Sequence, residues 1–371
     1  YIRGGSLAPI TLGYGLIMRR YTNAIEWPQV RRIGLQTEIN SGPYKIEALL
    51  NNFRELESPG LVGGRFSYST KFVLPVVVGG TLMFDGNQYL GLDDEDGDGI
   101  PDRHDMFPGE TDQDIINELR NVFLRNEALL TRLINQNILP DIRNPTKNFK
   151  DDDEAVVEFG VDVGIPLIQN KVMSLWAYAQ AAQIVDYGRG YTFPGLTWKM
   201  GPFRAGVEYR IFEKEFVSDF FGLSYEIERV EWDEDADDGQ GKYVTKEEKL
   251  DGIRSGQGYY VDAGADIFGY LDIYGSYQNM IYDDSEIPNQ SLYAKATLNT
   301  SFIPKIDLAE GYFQQPNADK VFSTDQDGTI IGYKVGASLG AGVMLVYDNK
   351  TIYHNGEPNR IMTVETVMKF K

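Results

Sequence analysis

The sequence predicts an all-β protein: an antiparallel meander of about 16 strands forming a transmembrane β-barrel, with one helical, calcium-binding insertion. Three observations predict it. Apolar and polar residues alternate with period two over segments of about ten residues, which are separated by Gly, Pro, Asn and Asp. The connections between those segments come in two kinds, tight and long. No apolar run reaches the length of a membrane-crossing helix, while 23 Tyr, 19 Phe and 39 Gly suit aromatic strands and sharp turns.

In chain order, candidate strands include "APITLGYGLIMRR", "RRIGLQTEIN", "YKIEALLNNF" and "VLPVVVGGTLMF", which make up a first barrel part over 1–84. A second part over 154–371 opens with "AVVEFGVDVGI", where Val157, Phe159, Val161 and Val163 oppose Glu158, Gly160 and Asp162. It continues through "SLWAYAQAAQIV", "FRAGVEYRIF", "YYVDAGADIF", "LDIYGSYQNMIY", "SLYAKATLN", "IIGYKVGASLG", "VMLVYDNKTIYH" and "IMTVETVMKF". Each of these has one apolar and one mostly polar face.

Short connections are "NSGP" from Asn40, "IQNK" from Ile168, Phe268–Gly269 and "GAG" from Gly340. Long ones follow Trp232, Tyr282, Gln315 and His354, and tight turns at one end with long acidic loops at the other are the anatomy of a barrel in an outer membrane. Counting back from a periplasmic C-terminus places the long loops outside. The count meets a parity conflict between 172 and 232, so one strand there is merged or split. An even total near 16 follows from the even-strand rule at about 20–25 residues per strand. Val364, Thr366, Met368 and Phe370 share one face of the last segment, which resembles the aromatic-ended final strand of bacterial outer-membrane β-barrels; Lys371 departs by following the aromatic residue. The resemblance implies a porin-like protein in contact with outer-membrane lipid.

The polar faces carry charges at strand centres: Glu158, Asp162, Arg204, Glu208, Arg210, Asp262, Asp266 and Asp272 are candidate lumen residues. The acidic members would favour cations, with Arg204, Arg210 and Lys295 as an opposing stripe. The solvated face of a soluble β-sandwich would hold such charges too, so a calcium-binding sandwich stays open as an alternative.

Residues 85–153 break the strand rhythm. In 112–136, Ile115, Ile116, Leu119, Val122, Phe123, Leu129, Leu130, Leu133 and Ile134 recur at helical spacing behind a capping-box start, Thr111 with Asp114. Ahead of that helix, within 92–108, "DEDGDGIPDRHD" offers Asp94, Asp96, Asp98, the Ile100 carbonyl, Asp102 and Asp105 at the first, third, fifth, seventh, ninth and twelfth places, with Gly99 at the sixth. That is how one loop supplies the six to eight oxygens Ca²⁺ requires. The segment also resembles the thrombospondin type 3 calcium repeat in its "DGDGIPD" core, with Phe107 where that family has Cys. The predicted role of Ca²⁺ is a structural brace, since no nucleophile or base accompanies the loop.

A formal charge of −20 and the lack of any basic run exclude a nucleic-acid partner. No Cys and only His104 and His354 leave a membrane-embedded hydrolase as the weakest reading, so no enzyme activity is expected. A channel for small solutes or ions is the leading function; an anchor or scaffold holding a protein partner, a surface layer or a second copy is the alternative. No secretory signal stands at Tyr1, so a processed chain or a fragment of a longer one is expected.

Overall fold

The computed structural model describes residues 1–7, 9–25, 32–55, 60–70, 75–91, 132, 155–233, 242–283, 289–318, 320–323, 326, 328–340, 343–354 and 356–368. Among the described residues eighteen strands form: β1 (Ile2–Gly5), β2 (Gly34–Ser41), β3 (Tyr44–Leu50), β4 (Leu61–Ser69), β5 (Val77–Asp85), β6 (Val156–Gln169), β7 (Met173–Ile184), β8 (Arg189–Met200), β9 (Phe203–Phe212), β10 (Val230–Asp233), β11 (Lys242–Thr245), β12 (Gly256–Ile267), β13 (Leu271–Tyr282), β14 (Asn289–Leu298), β15 (Ile306–Ala318), β16 (Ile330–Gly340), β17 (Val343–His354) and β18 (Glu357–Met368). Sixteen make one sheet in sequence order, each antiparallel to the next, while β10 and β11 pair separately. A meander of local hairpins therefore accounts for the whole wall, and a sandwich of two packed sheets is set aside.

Alternation assigns the faces. On one face Phe159, Val161 and Val163 of β6, Val207 and Ile211 of β9, Tyr333 and Val335 of β16, and Met362 and Val364 of β18 are all exposed. On the other, Glu158, Asp162, Glu208 and Arg210 are buried. A soluble sheet has this pattern the other way round.

The sheet is curled about its polar face. The Asn23 side chain donates to the Asn51 carbonyl, just beyond β3, at 2.7 Å, and two residues on the Ile25 carbonyl accepts from Lys350 of β17 at 2.8 Å. Twelve strand intervals separate β3 from β17. In a flat sheet that is ~58 Å, whereas the link through Asn23 and Ile25 spans on the order of 20 Å.

Connections at one end run to seven residues at most, at 42–43, 70–76, 170–172, 201–202, 268–270, 299–305 and 341–342, with the start of β1 and the end of β18 beside them. The opposite end carries all the long connections, 6–33, 51–60, 86–155, 213–255 and 319–329, together with the short ones 185–188, 283–288 and 355–356. Three sequence expectations need correction. "APITLGYGLIMRR" is no strand, because its buried residues Leu16, Ile17, Met18 and Arg19 run consecutively rather than alternating. "NGEPNR" is no long loop: β17 and β18 are joined by 355–356 alone, where Gly356 takes φ 76. The parity conflict resolves because the chain leaves the wall at Phe212 and returns at Gly256, so Trp232 belongs to the separate hairpin. The calcium ligands Asp94, Asp96, Asp98, Ile100, Asp102 and Asp105, His104, Phe370 and the helix expected over 112–136 lie outside the described residues, apart from helical Arg132.

Candidate functional site

The site is built around the inner segment 7–25. Gly13 and Gly15 adopt φ 60 and 92, a region a side chain disfavours, and these two bends fold the segment back so that Ile10 and Tyr21 exchange backbone hydrogen bonds of 2.8 and 2.9 Å. Its apolar residues then face the curled wall. Leu12, Leu16, Ile17 and Met18 pack with Met83, Val156, Ile184 and Met280 of the wall and with Phe212, Phe216, Phe220 and Phe221, where the chain leaves β9. Each such side chain contributes ~1.5–3 kcal/mol on full burial, so the segment is a permanent occupant of the interior.

Polar contacts fix its register. Gln180 of β7 accepts from the Tyr14 and Leu16 amides at 3.2 and 3.3 Å, and the Tyr14 ring stacks on Tyr178 at 3.9 Å. Arg19 donates to the Tyr14 carbonyl at 2.6 Å and to Glu208 at 2.8 Å. Glu208 also accepts from Tyr178 at 2.8 Å and pairs with Arg210 at 2.6 Å. Two guanidinium groups, Arg19 and Arg210, lie over Tyr260 at 4.2 and 4.3 Å. This buried carboxylate is held between two cations, and Asp219, 3.7 Å from Arg210, brings the second carboxylate that balances them.

A second knot binds the 213–255 loop to wall and segment together. Its short helix α1 (Tyr225–Glu228) directs Tyr225 to Asp85 of β5 at 2.6 Å, and the next residue, Arg229, pairs with the same carboxylate at 2.8 Å. Glu226 accepts from Tyr21 and pairs with Arg32 at 3.2 Å. Burial opposes the Glu226 charge, but Arg32, Arg229 and the Tyr21 hydrogen bond outweigh it and hold the carboxyl below its ordinary range. Glu228 is likewise held low against burial, by Lys246 at 2.7 Å and by Ser224.

The interior is not filled throughout. A cavity of about 680 Å³ remains between the inner segment, the 213–255 loop and the inner faces of β12 to β16, bordered by Arg20, Ser276, Gln278, Tyr293 and Gln314 among others. Arg20 enters it from the segment: both terminal nitrogens donate to Ser276 at 3.2 Å, and the guanidinium lies 3.9 Å from the Tyr293 ring centre.

The expected lumen residues fall on the inner face, with one at its edge. Asp162 pairs with Arg65 at 2.6 Å, Arg204 grips Asp272 through two bonds of 2.8 Å, and Glu208 and Arg210 belong to the knot above. Asp262 faces inward beside Gly206. Asp266 is the edge case, accepting from the Gly269 amide in the turn after β12. Glu158 is fully buried against the inner core, and among the described residues neither of its oxygens has a hydrogen-bond partner. Of the residues expected as an opposing stripe, Arg204 pairs with Asp272, Arg210 with Glu208 and Lys295 with Glu310, and Lys334 pairs with Asp348 in the same way. Sequence reasoning missed Arg19, Arg20 and Arg65. The first two sat in a segment taken for a strand, and the "LGYG" bends were the available signal. Among the described residues no group of three or more His, Asp or Glu could hold a metal.

No protein-family model matches the chain, and no curated protein matches it. Among solved structures it is similar to engineered variants of a porin from Rhodopseudomonas blastica. One is 7% identical with a TM-score of 0.30, covering 90% of this chain and 91% of that one. Another is 8% identical with a TM-score of 0.31, covering 90% of each. Likeness at this level does not establish a shared family.

Proposed function

We propose that the chain is a bacterial outer-membrane β-barrel, a porin-like channel for small solutes or ions whose passage is confined by its own inner segment and the 213–255 loop. The observation that carries this is the inverted wall, apolar and exposed outside, charged and buried inside. Lipid is the solvent that suits such an outer face. From Tyr259 to Phe268, both exposed, nine residues of rise at about 3.3 Å and a tilt near 40° cover ~23 Å, close to the ~25 Å apolar band of such barrels. Closure is supported by the curl: in a ring of sixteen, β3 and β17 lie four intervals, or ~19 Å, apart, which matches the Asn23–Ile25 link.

The short turns are assigned to the periplasm and the long connections to the outside, as in other outer-membrane barrels. The calcium loop then joins β5 to β6 extracellularly, where millimolar Ca²⁺ saturates even a weak site. Spacing is what supports that part of the reading. The packed interior favours a second reading, an anchor that holds a protein partner or a second copy of itself. Conductance in a planar bilayer decides between them: the channel reading expects discrete current steps from the folded, inserted protein, and a silent inserted barrel refutes it.

A further inference from the structure

We propose that the interior cavity beneath Arg20 binds a small hydroxylated carboxylic acid, a sugar acid in class, and grips its carboxylate through the Arg20 guanidinium. The inference rests on the channel reading and names the solute that passage recognises. Among the described residues Arg20 makes no ion pair; its terminal nitrogens are shared on one hydroxyl, Ser276, and its Nε is buried without a hydrogen-bond partner. The other cations bordering the cavity are already matched: Arg19 by Glu208, Lys246 by Glu228 and Lys249 by Glu231. Asp262 is within electrostatic range of Arg20 but does not border the cavity.

The backbone supports a role that packing alone does not explain. Arg20 takes φ 56, in the left-handed region, and its amide is tied to the Thr11 hydroxyl at 3.0 Å. Strain of this kind in a non-glycine residue is kept where the surroundings aim a side chain. Here the guanidinium lies over Tyr293, at 3.9 Å, and Tyr274, at 5.4 Å, and borders the open volume. One planar fork matches one carboxylate, whereas a phosphate dianion favours a second unmatched cation, and among the described residues the cavity lining holds none. The rest of the lining, Gln278, Ser291, Tyr293 and Gln314, offers donors and acceptors suited to hydroxyl groups.

Calorimetry on the detergent-solubilised full chain tests this with D-glucuronate, D-glucose and inorganic phosphate. Glucuronate is expected to bind about tenfold more tightly than either of the others, the increment of a charge-assisted pair. Arg20→Asn, which tolerates the left-handed backbone, should abolish that preference; Arg20→Lys, which keeps the charge and loses the fork, should reduce it severalfold. Equal binding of glucose or phosphate overturns the proposal, as does unchanged glucuronate binding by either variant with wild-type heat-modifiable gel migration. Binding in detergent needs no current: a silent barrel that binds glucuronate defeats the channel reading and spares this one, and a conducting barrel that ignores glucuronate does the reverse.

Discussion

Replacing Arg229 with Met tests the claim that the 213–255 loop is locked into the interior by charge as well as by packing. Arg229 is fully buried; it bridges Asp85 of the wall at 2.8 Å, the Asn87 carbonyl at 2.9 Å and Glu226 at 3.6 Å. Arg229→Met keeps most of the aliphatic volume and leaves the Asp85 carboxylate, also 0% exposed, without a countercharge, held by Tyr225 at 2.6 Å and the Asn87 amide at 3.2 Å. Breaking a buried pair on one side costs ~3–5 kcal/mol, while Glu226 retains Arg32 and limits the damage to the Asp85 side. The wall strands do not depend on this pair, so the expected result is a barrel with wild-type far-ultraviolet dichroism and gel migration, a loop that exchanges its amides and a higher conductance. The double variant with Asp85→Leu removes the stranded charge and should regain most of the loss. A single variant within ~1 kcal/mol of wild type in urea unfolding, with unchanged amide exchange around 213–229, would refute the lock.

Other measurements probe the wall, the pH response and the insertion. Val161, 62% exposed at mid-strand, should accept Arg in detergent but cost ~2–4 kcal/mol for folding into lipid vesicles, and an equal cost in both media contradicts a lipid-facing position. Glu226 and Glu228 are held below their ordinary value of 4.5, so their stabilisation is complete above that pH and is lost as pH falls through the depressed values. Loop protection against proteolysis should therefore fade below about pH 4.5 before the wall unfolds, and an acid response shared equally by the Glu226→Gln variant counts against it. Calorimetric titration of the full chain with millimolar Ca²⁺ should give heat that Asp96→Asn and Asp98→Asn diminish; no heat removes the brace.

The wall was legible because a β-strand writes its two environments into alternate residues. Val157, Phe159, Val161 and Val163 against Glu158 and Asp162 are enough to read β6, and the same pattern, repeated between turns, yields an even number of strands near the sixteen observed. The shared face of Glu158, Asp162, Glu208 and Arg210 was legible for the same reason, since a face is a local property. Their partners were not. Arg65 meets Asp162 across 97 residues, and Arg19 meets Glu208 across 189.

The inner segment shows where local pattern gives way. "LGYGLIMRR" carries apolar residues without alternation, and its surroundings are two-sided: wall on one side, the Phe216–Tyr225 stretch on the other. Burial on every side erases periodicity, so its course was decided only once the curled sheet supplied a concave face to fill. Sequence by itself determined the strands, their faces, the two kinds of connection and the oxygen-rich spacing of 94–105. Tertiary structure alone decided that the inner segment and the 213–255 loop fill part of the interior and leave a cavity, that Asp162 meets Arg65 and Glu208 meets Arg19, and that Arg20 faces that cavity, because each of these depends on residues brought together by curling and not by nearness along the chain.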